Sequence, residues 1–548
     1  MSLRARRPWM AVVVVTTIAA WPSAARAQFV DRTVVVDDDG GDGDATTSAA
    51  ADPTASPPAG DQAHDLEVRL TLSSFVHREL GSDGPPLVAG GDAPDDASPV
   101  RRFFGDARLE LRADRVGGGS LRFDGRIRET TSERYQAGAG AGAEYELRAA
   151  FYRRALGGSE LRVGRLVVDA VGATRLDGVA VERRLAAAWS ATLFGGAYPQ
   201  RGSRSITTDY AAIREAGAAT GAPLVPIVGG GGLSYRRPSL YGDLGVGGIH
   251  VLQDVPGAAG VAASRVFTSA SGYWRPAPWI DAYHYGVLEV AGAGDVRLTN
   301  GSLGVDGFPV PALKLALTAH HVDTELLEIS ARNVLEDPDP AAMGVVQNDA
   351  AVVRVSQDLA RAGVSLALAQ ARFELSASGG LHRRPAIDVP LADGGVVAFP
   401  AASMAEATLA VLDRRSFAGL RVALSGSALG PIGDQAPSRS RGVAARLVVS
   451  RAGERGDVEL DLVAQRFSDL GPRTGCTTLD PLACHGTARS TAAQVGGLLT
   501  LRAGSEWLLL IDGHLGVRDA ESSTVGAMVE WPRVVSVSGF ARLSWRYR

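Results

Sequence analysis

Lysine is almost missing from this chain. Lys314 is the only one in 548 residues, and the remaining basic charge is arginine. With 56 basic against 60 acidic side chains the net charge is −4, so the basic excess that marks a nucleic-acid binder is absent. Cysteine is nearly as scarce. Cys476 and Cys484 stand in one Gly/Pro/Thr-rich stretch, which suits a disulfide in an oxidising compartment. No segment offers 18 consecutive uncharged apolar residues, which excludes a chain that crosses a membrane as helices. Catalytic signatures are missing too: there is no His-Glu-x-x-His, no Gly-x-Ser-x-Gly elbow and no phosphate loop. His320 and His321 are adjacent, so on a strand they face opposite ways, and Cys476, Cys484 and His485 make a weaker metal set than a simple disulfide. An enzyme, a metal site and a cofactor are therefore not expected.

At the N-terminus Arg4, Arg6 and Arg7 precede the short apolar run Met10 to Ala20, and Ala25-Arg26-Ala27 supplies a small-x-small cleavage site. Residues 1–27 read as a secretory signal peptide cleaved after Ala27. Residues 28–64 are rich in Asp, Gly, Ala, Thr and Pro and hold the run Asp37-Asp38-Asp39-Gly40-Gly41-Asp42-Gly43-Asp44. Such a run can bind calcium, but it lacks the bidentate Glu of an EF-hand loop. A disordered acidic linker, too short and too polar for a folded plug, is the expectation.

From residue 65 to 548 the pattern has period two. Leu66-Glu67-Val68-Arg69-Leu70-Thr71-Leu72, Leu121-Arg122-Phe123-Asp124-Gly125-Arg126-Ile127-Arg128 and Val458-Glu459-Leu460-Asp461-Leu462 each put apolar residues on one face and polar ones on the other. Short turns such as Val116-Gly117-Gly118-Gly119 and Ala155-Leu156-Gly157-Gly158 alternate with long polar loops near 77–104, 129–143, 198–230, 334–348, 381–401, 429–441 and 469–488. The Gly-rich runs Gly138 to Gly142 and Gly229 to Gly232 fall in or beside these loops and read as flexible. Short turns at one end and long loops at the other are expected of an all-β, antiparallel transmembrane barrel with periplasmic turns. The tryptophans Trp189, Trp274, Trp279, Trp507, Trp531 and Trp545 all read as lying beside the short turns, as interfacial indoles would. The count is about 22 strands, with 18 to 24 allowed by soft boundaries. Pro532 reads as splitting the last segment and gives an odd total unless residues 522–548 form one long strand.

The signal peptide, the alternating strands and the ending Phe540-Ala541-Arg542-Leu543-Ser544-Trp545-Arg546-Tyr547-Arg548 resemble a Gram-negative outer-membrane β-barrel of the porin-like kind. Locally, Leu161-Arg162-Val163-Gly164-Arg165 followed by Arg175-Leu176-Asp177-Gly178 is similar to a segment of porin-like and alginate-export-like barrels, where Gly-Arg is followed by Gln rather than Leu166. The resemblance implies an outer-membrane location, contact with outer-membrane lipid and insertion by the barrel-assembly machinery. On it, Leu109, Leu111, Leu121, Phe123 and Ile127 should meet lipid. Arg69, Arg108, Glu110, Arg112, Arg122, Asp124, Arg126, Arg128 and Arg148 should then line the lumen, either as an Arg–carboxylate ladder that braces the wall or as a basic stripe that attracts small anionic solutes. A porin-like channel for small solutes leads, and a plugged barrel with a structural or surface-interaction role is the alternative.

Overall fold

The computed structural model describes residues 66–80, 101–132, 143–199, 226–251, 265–291, 296–323, 356–370, 372–390, 396–399, 401–415, 419–432, 441–469, 488–524 and 527–547. The expected signal peptide, acidic linker, Cys476–Cys484 pair, Gly138 to Gly142 run and final Arg548 lie outside these residues.

The described residues form a ladder of β1 (Leu66–Leu80), β2 (Arg101–Val116), β3 (Gly119–Ser132), β4 (Ala143–Leu156), β5 (Ser159–Val168), β6 (Thr174–Arg184), β7 (Trp189–Ala197), β8 (Pro226–Arg237), β9 (Leu240–Val251), β10 (Arg265–Ala277), β11 (Ile280–Ala291) and β12 (Arg297–Val310). It continues through β13 (Leu313–Asp323), β14 (Ser356–Leu368), β15 (Phe373–Arg384), β18 (Ala402–Asp413), β19 (Arg421–Pro431), β20 (Arg441–Gly453), β21 (Gly456–Asp469), β22 (Ala488–Ala503), β23 (Trp507–Thr524) and β24 (Ala527–Tyr547). A small hairpin, β16 (Ile387–Pro390) with β17 (Val396–Phe399), stands apart in the long loop between β15 and β18. Every pairing is antiparallel, and β24 returns to β1 in the register Leu70↔Trp545 and Phe75↔Phe540, closing a 22-stranded barrel.

The two faces follow from the alternation. Leu109, Leu121 and Ile127 are exposed on the outside, whereas Asp124 and Arg126, on the other face of the same strands, are only 6% and 7% exposed. A one-residue slip would exchange the two sets, so burial of charge fixes the register. At the short-turn end Gly117 and Gly118 (φ 57° and 80°), then Gly157 and Gly158 (φ 51° and 88°), reverse the chain with both central residues at positive φ, as a two-residue hairpin requires.

Aromatic side chains gather at that end. Trp189 packs on Tyr235 with centroids 4.9 Å apart, Trp507 lies 6.1 Å from Trp545, and Trp274 and Trp279 are exposed at the β10–β11 turn. Trp531 departs from the expectation. It pairs with Ala520 near the β23–β24 turn, at the opposite end of the barrel. The same region settles the strand parity: β24 is one strand of 21 residues, and the register steps from Arg518↔Val534 to Ala520↔Trp531. Two β24 residues, Pro532 and Arg533, thus oppose Asp519 alone, a bulge that accommodates a proline with no N–H to donate. Gly229 to Gly232 also differ from expectation, since they are the middle of β8 and not a loop.

Candidate functional site: the inner wall and an inward hairpin

The inner face is built from charge pairs, most of them between neighbouring strands and some along one strand. Arg108 grips Asp124 with two hydrogen bonds, Nε to Oδ1 at 2.9 Å and an Nη to Oδ2 at 2.8 Å, and also meets Glu110 at 2.9 Å. Arg69 meets Glu110 at 3.7 Å, Arg112 meets Asp114 at 3.3 Å, and Arg126 meets Asp106 at 2.9 Å and Glu146 at 3.8 Å. Arg128 lies over the Phe104 ring at 5.2 Å. Arg148 is the extra residue of a bulge, where the register steps from Asp124↔Ala149 to Gly125↔Leu147. The same device continues where the sequence reading named no residues. Arg446 holds Asp461 with two bonds of 2.9 and 2.7 Å, Lys314 reaches Asp306 at 3.0 Å, and Arg361 reaches Glu406. Alternating parity would have found these positions too, since each charge shares the inner face of its strand.

One hairpin leaves the wall. β5 and β6, of 10 and 11 residues, are joined by a turn at 169–173 that lies against the inner surface of β8 to β11. The bend begins where β4 stops pairing with β5. That register ends at Ala150↔Arg165, although β4 remains paired with β3 to Ala143. Gly164, at φ 128°, sits so close to β4 that an added Cβ would lie 2.1 Å from the Ala150 carbonyl oxygen. Opposite it, a Cβ on Gly178 would lie 2.2 Å from the Gly195 carbonyl oxygen. Only glycine fits this crossing. Arg165, 6% exposed, donates to both oxygens of Asp177 and to the Leu147 carbonyl, which also accepts from Arg175. A backbone acceptor of β4 left without β5 is thus satisfied by guanidinium groups. The stretch that carries the local family resemblance is therefore the hinge and clamp of the inward hairpin, and Leu166, in the place of Gln, is fully buried beneath it.

The tip is seated on glycines. A Cβ on Gly245 would lie 2.6 Å from the Ala170 oxygen and 2.7 Å from Val171 Cγ2, and one on Gly232 would lie 3.0 Å from both. Leu166, Val168, Val171 and Leu176 of the hairpin form a buried apolar cluster with Phe194, Val228, Ile249 and Phe267 of the wall. Gly230 and Gly247 leave room for the rings of Phe194 and Phe267, which explains glycine in the middle of β8 and β9. At the tip Asp169 is exposed, within the electrostatic reach of Arg162, Arg122, Arg236 and Asp243. Arg236 is held by Asp243 at 2.7 Å, and Asp243 also accepts from Ser234 at 2.5 Å.

Replacing Asp177 with alanine should leave Arg165 buried without its carboxylate. We expect a loss of about 3 to 5 kcal/mol, read from the denaturant midpoint of the refolded barrel.

Elsewhere, His321 lies on the outer face, with Nδ1 2.7 Å from Asp358 and Nε2 2.9 Å from the Leu298 carbonyl, while His320 falls on the inner face. Among the described residues no group of three or more His, Cys, Asp or Glu is placed to hold a metal ion.

A closed antiparallel ladder with an apolar exterior, a charged interior and an aromatic girdle at its short-turn end defines a transmembrane β-barrel of the outer-membrane, porin-like class. No protein-family model matches the chain, and no curated protein matches it. Among solved structures, the ferric enterobactin receptor PfeA of Pseudomonas aeruginosa aligns with TM-score 0.47 and 10% identity, over 88% of this chain and 81% of that one. The siderophore receptor PirA of Acinetobacter baumannii gives 0.45 and 8% over 88% and 81%. OccD3 (OpdP) of Pseudomonas aeruginosa gives 0.36 and 10% over 88% and 92%. With these scores under 0.5, the class rests on the chain's own ladder, closure and two-faced strands.

Proposed function

We propose that the protein is an outer-membrane channel for small solutes, narrowed on one side by the β5–β6 hairpin. The observation that carries this is the inner wall. A face braced by Arg108–Asp124, Arg126–Asp106 and Arg446–Asp461 is at ease against water and expensive against hydrocarbon, so it supports a wet lumen. Pore-lining roles follow for Arg69, Arg108, Glu110, Arg112, Arg122, Asp124, Arg126 and Arg128, with Arg148 beside them at its bulge. Most are ladder members whose charge is largely offset by a neighbour, so bracing dominates in this part of the wall. Selectivity is assigned to the hairpin tip, where Asp169 lies within electrostatic reach of Arg162, Arg122 and Arg236. Small anionic solutes are the cargo this group of guanidiniums would suit, although Arg162 also meets Glu160 at 3.7 Å and Arg236 is held by Asp243.

Planar-bilayer recording of the purified full chain tests the reading. Stepwise conductance is expected, and an insulating barrel would point instead to the sealed structural or surface-interaction role. Arg122→Ala should assemble normally and lower the anion-to-cation permeability ratio, measured as a shift of reversal potential in a salt gradient. An unchanged reversal potential would remove Arg122 from the selective path. Export by the N-terminal signal and insertion by the barrel-assembly machinery belong to the same proposal.

A further inference from the structure

The ladder arginines of the inner wall are tied to carboxylates. The side chains of Arg441 and Arg466, on the outer face, have no ion pair or hydrogen bond among the described residues. Both are exposed, and each is the first outward residue beyond the apolar run of its own strand. On β20 that run is Val443, Ala445, Leu447 and Val449, and on β21 it is Val458, Leu460, Leu462 and Ala464. Both arginines stand at the long-loop end. The register Val443↔Arg466 makes them diagonal neighbours, and Ser468↔Arg489 makes Arg489 of β22 the diagonal neighbour of Arg466. Diagonal neighbours across antiparallel strands stand roughly 7 to 8 Å apart, within the span of two arginine side chains converging on one anion. Arg489 shares its charge with Glu521 at 3.2 Å in an exposed pair, which leaves it available for a stronger acceptor. The outward positions beside them, Ala428, Gly430, Val443 and Ser468, bring no carboxylate.

We propose that Arg441 and Arg466, assisted by Arg489, form a binding site for the phosphorylated headgroup of an outer-leaflet lipid. Guanidinium forks match phosphate oxygens in bidentate fashion, and a lipid whose chains lie along Leu447 and Leu462 presents its headgroup at the height of these arginines. The occupant is a lipid rather than a dissolved anion because the apolar run begins directly below the charges on the same face. The site rests on the orientation of the barrel, with its long loops outward, and not on whether the lumen conducts.

The test uses the full chain refolded in detergent, with retained lipid counted by native mass spectrometry after exposure to bisphosphorylated lipid A. The wild type should retain it at least about tenfold more strongly than an Arg441→Ala, Arg466→Ala double variant, the loss of one charge-assisted contact or more. An Arg441→Lys, Arg466→Lys variant should recover part of the difference. Equal retention by the wild type and the alanine variant would overturn the proposal. A second arm needs no variant. The wild type should retain dephosphorylated lipid A weakly, and equal retention of the two lipids would refute a phosphate site even if the alanine variant failed to fold. Displacement of bound lipid A by excess inorganic phosphate would show a site for the free anion and overturn the assignment to a lipid.

Discussion

Replacing residues 169–173 with Asn-Gly should yield a barrel that passes more current per channel than the wild type. The design uses the pairing Val168↔Thr174, which can be closed by a two-residue turn without disturbing the rest of the hairpin. What it removes is the tip, whose Ala170 and Val171 lie against Gly232 and Gly245 and whose Gly172 approaches Ser269 and Val287. Burial of Val171 contributes about 1.5 to 3 kcal/mol, so the shortened protein should also unfold earlier. Single-channel recording separates the two effects. Conductance equal to that of the wild type would show that the tip does not narrow the ion path.

Phe123→Arg should fail to assemble, whereas Arg122→Ala one position away should assemble. Phe123 shares the outer face of β3 with Leu121 and Ile127, and Arg122 shares the inner face with Asp124 and Arg126. An arginine facing lipid near mid-bilayer costs roughly 2 to 4 kcal/mol, a large part of a total stability of about 5 to 15 kcal/mol. Heat-modifiable migration on a gel reads assembly directly. Normal folding of Phe123→Arg with failure of Arg122→Ala would invert the assignment of faces.

Much of this architecture was legible in the residues. Leu121-Arg122-Phe123-Asp124 states its two faces by alternation alone, and the glycine pairs after Val116 and Leu156 mark hairpin turns by their tolerance of positive φ. The inward hairpin was not legible. Up to Arg165 its strands alternate like any wall strand, and what turns them is the close approach of Gly164 to β4 and of Gly178 to β7, which no local pattern announces. One sign was present: at Leu166-Val167-Val168 alternation gives way to a continuous apolar run, as on a strand buried on both faces. Gly229 to Gly232 misled for a related reason. Glycine is depleted in strands, and its place here is explained only by Phe194 and the hairpin tip, which arrive from elsewhere in the chain. Trp531 was put at the wrong end because the bulge at Pro532 keeps a single strand running where a turn had looked natural.

The seam between β1 and β24 sets the order of events in folding. Thr71 and Ser544 meet across it at 3.3 Å, although 473 positions separate them in the chain. All other neighbours in the wall are also neighbours in sequence, apart from the loop that carries β16 and β17, so hairpins can form early at small entropic cost. Closure cannot begin until the last strand is present, and until then both terminal strands keep an edge of unpaired backbone groups. Assembly should therefore accumulate an open sheet and finish in one slow step whose rate is set by the meeting of the two ends.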